Sequence, residues 1–282
     1  MAVKDLNGKR CLITGAASGI GRATALAAAT RGADLFLTDI NEEGLRRVAS
    51  EIADTHGAVS CVRAADISDH DAVVALAAEI HDAHASMDVV MNIAGVSTWG
   101  TIDRLEHRDW RKMIDINLMG PINVLERFVP PMIEARRGGH IVNVSSAAGL
   151  FGLPWHAAYS ASKFGLRGVS EVLRFDLRRH KIGVSLVCPG AVRTPLVGTV
   201  EIIGADRQSP PVEEIIRDFE KRAVSPEHVA KKILKGIERN QYMVFTSADI
   251  RLGYWWQRKF ALPYELTMRS LNDRFAATFD QG

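Results

Sequence analysis

The sequence predicts an α/β fold, a single doubly wound, Rossmann-like parallel sheet with helices on both faces. Two observations support this prediction. Short apolar runs alternate with segments of helical period along most of the chain, and no repeat or linker interrupts the alternation before about residue 247. Strands separated by helices pair in parallel, and the helices then cover both faces of the sheet. We therefore expect one domain over residues 1–247 and a C-terminal extension over residues 248–282 that packs on it.

The elements of the first half follow one another as strand and helix. Four short apolar runs bounded by turn residues predict strands at residues 10–14, 34–38, 59–62 and 87–91. Three segments of helical period predict helices at residues 19–30, 42–55 and 68–83. The last of these helices follows Ser68, a residue type that favours the N-cap position.

The second half continues the alternation with longer helices. Helices are expected at residues 107–135, 157–180 and 225–240, and strands at residues 140–144, 182–187 and 242–245. Pro130 and Pro131 are expected to kink or end the first of these helices. Residues 195–225 carry three prolines and lack a clean period, so we expect an irregular segment there.

Composition excludes several classes of protein. The 282 residues are 47% hydrophobic and 24% charged, with a formal net charge of +2. This mix argues against a disordered chain, and so small a charge excess gives no reason to propose a nucleic-acid partner. No apolar stretch approaches the roughly 20 residues of a membrane-spanning helix, and residues 1–10 lack the apolar core of a signal peptide. We expect a cytoplasmic protein with buried, reduced cysteines and no metal site.

A glycine-rich loop joins the first strand to the first helix. Residues 14–21 contain Gly15, Gly19 and Gly21, where backbone can approach a phosphate at a helix N-terminus. This spacing alone fits a tight strand–helix turn equally well. Asp39, about 20 residues after the loop, ends the second strand where a ribose 2′-hydroxyl group would lie, although it could also be a turn or cap residue. Because Ile40 follows it instead of a basic residue, we expect NAD rather than NADP.

A tyrosine and a lysine share one face of the helix at residues 157–180. Tyr159 and Lys163 are four residues apart, and a nearby ammonium group favours the phenolate form of a tyrosine whose free pKa is about 10. Ser146 follows the strand at residues 140–144, at the sheet edge where doubly wound folds bind ligands. Asn117 lies inside a predicted helix despite its low helix propensity.

Six motifs occur together in the order and spacing of one family. They are residues 14–21, residues 92–95, Asn117, Ser145-Ser146, Tyr159-x3-Lys163, and Pro189-Gly190 with Thr194. Over roughly residues 6–245 the chain therefore resembles the short-chain dehydrogenase/reductase family. The resemblance implies Tyr159 as general acid/base, Ser146 as the group that holds the substrate oxygen, and Asn117 as the holder of a relay water. Lys163 would lower the pKa of the tyrosine and bind the nicotinamide ribose.

The resemblance also implies a set of cofactor-binding residues around the loop and the sheet edge. They are Gly15, Ser18, Gly19, Ile20, Gly21, Asp39, Asp66, Ile67, Asn92, Ala94, Gly95, Tyr159, Lys163, Pro189, Gly190, Val192 and Thr194. One position departs from the family pattern, because Ile93 replaces the second of two asparagines. The replaced asparagine mostly supports the sheet, so we expect a consequence for local stability more than for catalysis. A homodimer or homotetramer is implied as well.

The expected substrate is a small apolar alcohol or ketone. Apolar residues that flank the motifs are candidates for its pocket, namely Trp99, Phe151, Leu153, Trp155, Leu196 and Val197. His156 could also face the substrate, although a lone histidine is more often structural. By resemblance, residues 195–225 form a mobile substrate lid. The aromatic and basic residues at 250–264 predict packing over the substrate mouth or a neighbouring subunit, with a membrane surface as the alternative.

Three functions are compatible with these motifs. The leading hypothesis is an oxidoreductase that transfers hydride between NAD(H) and a hydrophobic secondary alcohol or ketone. An NADP-dependent ketone or 3-oxoacyl reductase is the alternative, and Asp39 with Ile40 argues against it. A non-catalytic dinucleotide-binding scaffold is less consistent with the sequence, because both Tyr159 and Lys163 are present.

Overall fold

Seven parallel strands form the central sheet of the protein. A computed structural model describes residues 3–55, 57–206 and 208–279, without the side chains of Val197, Pro211 and Phe279. The strands are β1 (Arg10–Thr14), β2 (Asp34–Asp39), β3 (Ala58–Ala64), β4 (Val89–Asn92), β5 (Thr98–Trp99), β6 (Gly139–Val144), β7 (Ile182–Cys188), β8 (Glu201–Ile202) and β9 (Met243–Phe245). The sheet order is β3-β2-β1-β4-β6-β7-β9, while β5 and β8 form a separate two-stranded sheet.

Helices cover both faces of the large sheet, as the alternation predicts. They are α1 (Gly19–Ala29), α2 (Glu42–Ala53), α3 (His70–Ala83), α4 (His107–Ile114), α5 (Gly120–Glu134), α6 (Ala157–Asp176), α7 (Pro195–Thr199), α8 (Pro210–Arg222), α9 (Pro226–Glu238), α10 (Ala248–Lys259) and α11 (Ala261–Phe279). Successive residues of β1 point to opposite faces. Ile13 packs in the core beneath α1, α2 and α9, and Leu12 packs in the core beneath α3 and α5.

Two local predictions differ from the structure. The N-cap of α3 is Asp69, whose carboxylate accepts hydrogen bonds from the backbone of Asp71 and Ala72, and not Ser68. Of the two outcomes expected for Pro130 and Pro131, the structure contradicts the end of the helix, because both lie inside α5 and the carbonyl of Pro131 accepts a hydrogen bond from Ala135 at 3.0 Å. A different feature divides the predicted helix at 107–135, since residues 115–119 form a turn of π-helix between α4 and α5.

The segment expected to be irregular is partly ordered. Residues 195–225 contain α7, β8 and α8, and β8 pairs with β5 through Thr98 with Glu201 and Trp99 with Ile202. The backbone N–H of Ile203 also donates to the carbonyl of Trp99 at 2.8 Å. We call residues 195–225 the lid segment from here on. The pairing of β8 with β5 attaches the lid segment to the loop that follows β4.

The extension consists of two helices, α10 and α11. The hydroxyl of Tyr254 on α10 accepts a hydrogen bond from Arg167 on α6 at 2.8 Å. The hydroxyl of Tyr264 on α11 accepts one from the backbone of Gly152, also at 2.8 Å, and Arg274 on α11 pairs with Asp218 on α8 at 3.0 Å. Among the described residues, none of these or the other helices is long and apolar enough to cross a membrane.

Candidate active site

The glycine-rich loop packs against the start of the chain that leaves β4. The hydroxyl of Thr14 accepts hydrogen bonds from the backbone of Ile93 at 3.0 Å and Ala94 at 3.2 Å. Gly15 has φ +69° and lies so close to Ala94 that a Cβ atom would come within 2.7 Å of its Cα. A Cβ atom on Gly21 would lie 1.9 Å from the carbonyl oxygen of Gly15. Glycine is therefore required sterically at both positions.

A cavity of about 320 Å³ opens above this loop, between β1 and β4. Most of the predicted cofactor residues line it: Gly15, Ser18, Gly19, Ile20, Gly21, Asp39, Asp66, Ile67, Ala94, Gly95 and Thr194. The sheet order reverses direction between β1 and β4, which is where open α/β sheets bind ligands. With its glycine cradle and the N-terminus of α1 at one end, this cavity fits a dinucleotide.

Asp39 is the last residue of β2 and lines this cavity. Its carboxylate accepts hydrogen bonds from the backbone of Ala17 and of Asn41, both at 3.0 Å, so it also orders the loop. Ile40 beside it is 73% exposed. The described residues that line this cavity include no lysine or arginine, so nothing there would neutralise a 2′-phosphate group.

The basic residues closest to the loop belong to a neighbouring surface pocket. Arg22 forms an ion pair with Glu51 on α2. Arg47 in the same pocket pairs with Glu43 at 3.1 Å. These two guanidinium groups therefore have carboxylate partners, and the third basic residue of this pocket, Arg193, is exposed outside the cavity that Asp39 lines.

A second cavity of about 220 Å³ adjoins the first, and Ile93 and Thr194 line both. It brings together Ser146, Tyr159 and Lys163, which the sequence places on different elements or turns. α6 carries Tyr159 and Lys163 one turn apart, and Nζ of Lys163 lies 5.7 Å from the centre of the tyrosine ring. Ser146 follows β6, its Oγ accepts a hydrogen bond from the backbone of Ala148 at 3.1 Å, and its hydroxyl lies close enough to that of Tyr159 to influence the pKa of the tyrosine. The remaining cofactor candidates on this side, Pro189, Gly190 and Val192, also line the cavity.

The two titratable groups of this cavity are shifted by burial. Burial raises the pKa of Tyr159, and the neighbouring Ser146 hydroxyl opposes that rise in part. Burial also lowers the pKa of Lys163 to about 8, and its Nζ donates to the carbonyl of Val144 at 3.1 Å. The expected lowering of the tyrosine pKa by Lys163 must therefore overcome the cost of burying a phenolate.

Asn117 lies in the π-helical turn and is fully buried. Its Oδ1 accepts from the backbone N–H of Val96, and its Nδ2 donates to the carbonyl of Val96, both at 2.9 Å. A Cβ atom on the neighbouring Gly95 would lie 2.9 Å from this Oδ1 and 3.3 Å from Nζ of Lys163. The amide therefore holds the loop after β4 beside Lys163, and its side chain is occupied by that loop.

Asn92 is the one predicted cofactor residue that lines neither cavity. Its Nδ2 donates to Asn143 on β6 at 2.9 Å, and Asn143 in turn donates to Ser170 on α6 at 2.9 Å. These two buried hydrogen bonds connect β4, β6 and α6 beneath the site. Sequence reasoning did not identify Asn143 or Ser170. An asparagine inside the apolar run at 140–144 was the available signal.

The substrate candidates divide into two groups. Trp99, Leu153 and Leu196 line the second cavity. Phe151 and Trp155 do not, because each is buried in a neighbouring apolar cluster, and the side chain of Val197 lies outside the described part of the structure. The lid segment adds apolar residues that the sequence did not indicate, namely Val200, Ile215, Ile216 and Phe219. Ile93, the departure from the family pattern, is buried in the apolar core.

His156 also lines the second cavity, and its ring centre lies 6.2 Å from that of Tyr159. Across the described residues, no group of three or more histidine, cysteine or acidic side chains is arranged to hold a metal ion.

Comparisons with known proteins agree with this geometry. The family model for short chain dehydrogenases matches residues 9–202. A 3-oxoacyl-[acyl-carrier-protein] reductase, FabG of Thermotoga maritima, is 38% identical over 191 residues, covering 68% of this chain and 77% of that protein. A short-chain dehydrogenase/reductase of Burkholderia phymatum in complex with NAD superposes with a TM-score of 0.78 at 27% identity, covering 90% of this chain and 95% of that one. A metagenomic short-chain oxidoreductase in complex with NADP has a TM-score of 0.68 at 34% identity, covering 85% and 96%.

Proposed function

Because the chain belongs to the short-chain dehydrogenase/reductase family of oxidoreductases, which act on CH–OH or keto groups, we propose that it interconverts a hydrophobic secondary alcohol and its ketone with NAD(H) as cofactor. The observation that carries the proposal is the convergence of Ser146, Tyr159 and Lys163 on one largely apolar cavity next to the glycine cradle. The bound nicotinamide supplies or accepts the hydride, which no side chain can do.

Tyr159 is the general acid/base in this proposal. Its hydroxyl donates a proton to the ketone oxygen in reduction and accepts one from the alcohol in oxidation. Ser146, which lines the same cavity beside Tyr159, would donate a second hydrogen bond to the same substrate oxygen and so stabilise developing negative charge. The buried ammonium group of Lys163 favours the phenolate against the cost of burial. Asn117 positions Lys163 by fixing the loop at Gly95 and Val96.

The residues of the first cavity would hold the dinucleotide. The loop around Gly15 and Gly19 would bind the pyrophosphate, Asp39 the adenosine ribose, and Asp66 with Ile67 the adenine. NAD is favoured because a carboxylate accepts hydrogen bonds from a ribose diol and repels a 2′-phosphate group. A cytoplasmic location and a homodimer or homotetramer remain predictions for this protein.

One alternative has specific support. The similarity to a 3-oxoacyl-[acyl-carrier-protein] reductase is compatible with reduction of an acyl ketone with NADP. The absence of basic residues among those described around Asp39 disfavours it. A non-catalytic scaffold is disfavoured more strongly, because dinucleotide binding alone does not require Tyr159 and Lys163 to line a second cavity of substrate size.

A panel of alcohols and ketones with NAD(H) and NADP(H) tests the proposal. We expect absorbance of the reduced nicotinamide to change with apolar secondary alcohols or their ketones, and more strongly with NAD(H). Faster turnover of 3-oxoacyl thioesters with NADPH would favour the alternative. Binding of a dinucleotide without turnover of any compound in the panel would contradict both enzyme functions.

A further inference from the structure

His156 occupies a position in the second cavity that the proposed proton transfer does not explain. It is 7% exposed, and its ring centre lies 4.5 Å from that of Trp99. Its Nδ1 lies 2.6 Å from the carbonyl oxygen of Pro154. A carbonyl oxygen only accepts, so Nδ1 must carry the proton of a neutral ring. Nε2 is then a hydrogen-bond acceptor.

The backbone holds the imidazole in place at a conformational cost. Trp155, the residue before it, has φ +64°, which is unusual for a bulky side chain. The indole of Trp155 is buried in the apolar cluster of the lid segment, and its carbonyl accepts from the backbone of Gly100 at 2.8 Å. Strained backbone that the surroundings fix in this way is characteristic of functional sites.

The three serines of the cavity already have protein partners. Ser97 accepts from the indole N–H of Trp99 at 2.9 Å, Ser145 donates to the carbonyl of Lys163 at 3.0 Å, and Ser146 accepts from the backbone of Ala148 at 3.1 Å. Among the described residues, Nε2 of His156 has no such partner, and it is not one of the polar atoms sealed in the core. Burial lowers the pKa of His156 to about 4, so the ring stays neutral near pH 7.

We propose that His156 determines substrate specificity by accepting, at Nε2, a hydrogen bond from a second hydroxyl group of the substrate. The ring centres of His156 and Tyr159 lie 6.2 Å apart on the wall of the same cavity, so we assign the second hydroxyl to the carbon next to the reacting carbon. The substrate class is then an apolar vicinal diol in oxidation and an apolar hydroxy ketone in reduction. This inference rests on the proposed function, and it specifies the substrate of that same site.

The test compares two isosteric alcohols, phenylethylene glycol and phenyl ethyl carbinol, in which a methyl group replaces the terminal hydroxyl. We expect the wild-type enzyme to prefer the glycol in kcat/KM. His156→Phe should lower the preference roughly tenfold to hundredfold, the range for a buried hydrogen bond. His156→Gln retains an acceptor and should restore much of the preference. His107→Phe, an exposed histidine outside both cavities, should leave it unchanged.

A structural role of His156 would slow both alcohols equally and would not be rescued selectively by glutamine. Equal loss on both compounds, or no wild-type preference for the glycol, would therefore overturn the inference while the proposed function stood. If the wild-type enzyme oxidised neither compound nor any other alcohol with either cofactor, the proposed function would fail and the inference with it.

Discussion

The sheet edge and the C-terminal extension of the molecule are held in place by different contacts. Side chains around the proposed proton-transfer site are anchored by buried contacts, such as the hydrogen bonds that connect Asn92, Asn143 and Ser170 and the bond from Lys163 to Val144. By contrast, α10 has no buried residue, and large apolar side chains such as Trp255 on the extension are about half exposed. The ion pair of Arg274 with Asp218 and the packing of Phe275 on the apolar cluster of the lid segment attach the extension to that segment.

This difference suggests a division of labour. Proton transfer requires reacting atoms fixed within a fraction of an ångström, and a parallel sheet buried on both faces provides that rigidity. Substrate selection requires a surface that admits different shapes and can open, and the exposed contacts of the extension, which packs on the lid segment, allow such opening. Changes at the sheet edge should therefore affect kcat or cofactor choice, and changes in the extension should affect KM.

The largest expected effect is that of Tyr159→Phe. Removing the hydroxyl that carries the proton should lower kcat by roughly 10²–10⁴-fold, the usual contribution of general acid–base catalysis. NAD binding should persist, as measured by the quenching of tryptophan fluorescence. Tyr254→Phe removes a hydroxyl from the extension and should leave kcat nearly unchanged. Similar losses in both variants would contradict the division between the two regions.

Asp39→Asn tests cofactor choice at the sheet edge. The amide still accepts from the backbone of Ala17, but it no longer repels a 2′-phosphate group. We expect the ratio of kcat/KM with NAD to that with NADP to fall roughly tenfold to hundredfold, the range for a hydrogen bond to a charged group. Asp54→Asn makes the same charge change at the exposed end of α2, outside the cavity, and serves as control. An unchanged ratio in Asp39→Asn would exclude Asp39 as the discriminating residue.

The buried core should lose stability in acid through His140 on β6. Burial lowers its pKa from 6.5 to about 4, so between these pH values the unfolded chain binds a proton that the folded chain does not. Stability contributed by the neutral form is therefore lost as the pH falls through this window, by about 3 kcal/mol at pH 4. His140→Gln should flatten the decline of the unfolding free energy measured in urea. The decline should not disappear entirely, because His156 titrates in the same window. If the His140→Gln variant lost stability as steeply as wild type, the assignment to His140 would be wrong.

The smallest expected effect is that of Arg274→Gln in the extension. Exposed ion pairs contribute little to global stability, so the urea midpoint should hardly move. Loss of the contact with Asp218 should loosen the lid segment and raise KM for the alcohol, with kcat unchanged. Arg269→Gln removes a pair within α11 that does not reach the lid segment, and KM should stay constant. A fall in kcat without a change in KM would show that the extension acts on the chemical step.

Local patterns predicted the strands and helices well where the period was clear. Alternation of strand and helix fixed the order of the elements, since a strand buried on both faces must be apolar throughout and a covering helix must have one apolar face. The π-helical turn at 115–119 could not be predicted, because it depends on the contact between Asn117 and the distant Val96. For the same reason the pairing of β8 with β5 was missed.

The sequence by itself identified the family and the candidate site residues of this protein, because the glycine cradle, the acidic residue after β2 and the Tyr159–Lys163 pair depend on spacing within single elements or turns. Only the tertiary structure decided which side chains meet across elements. It places Asn92 and Trp155 outside the cavities, and it places Ile215 and Phe219 of α8, together with His156, on the wall of the second cavity. Helical and strand periods fix which face a residue occupies, whereas the neighbour that this face meets depends on how the whole chain packs.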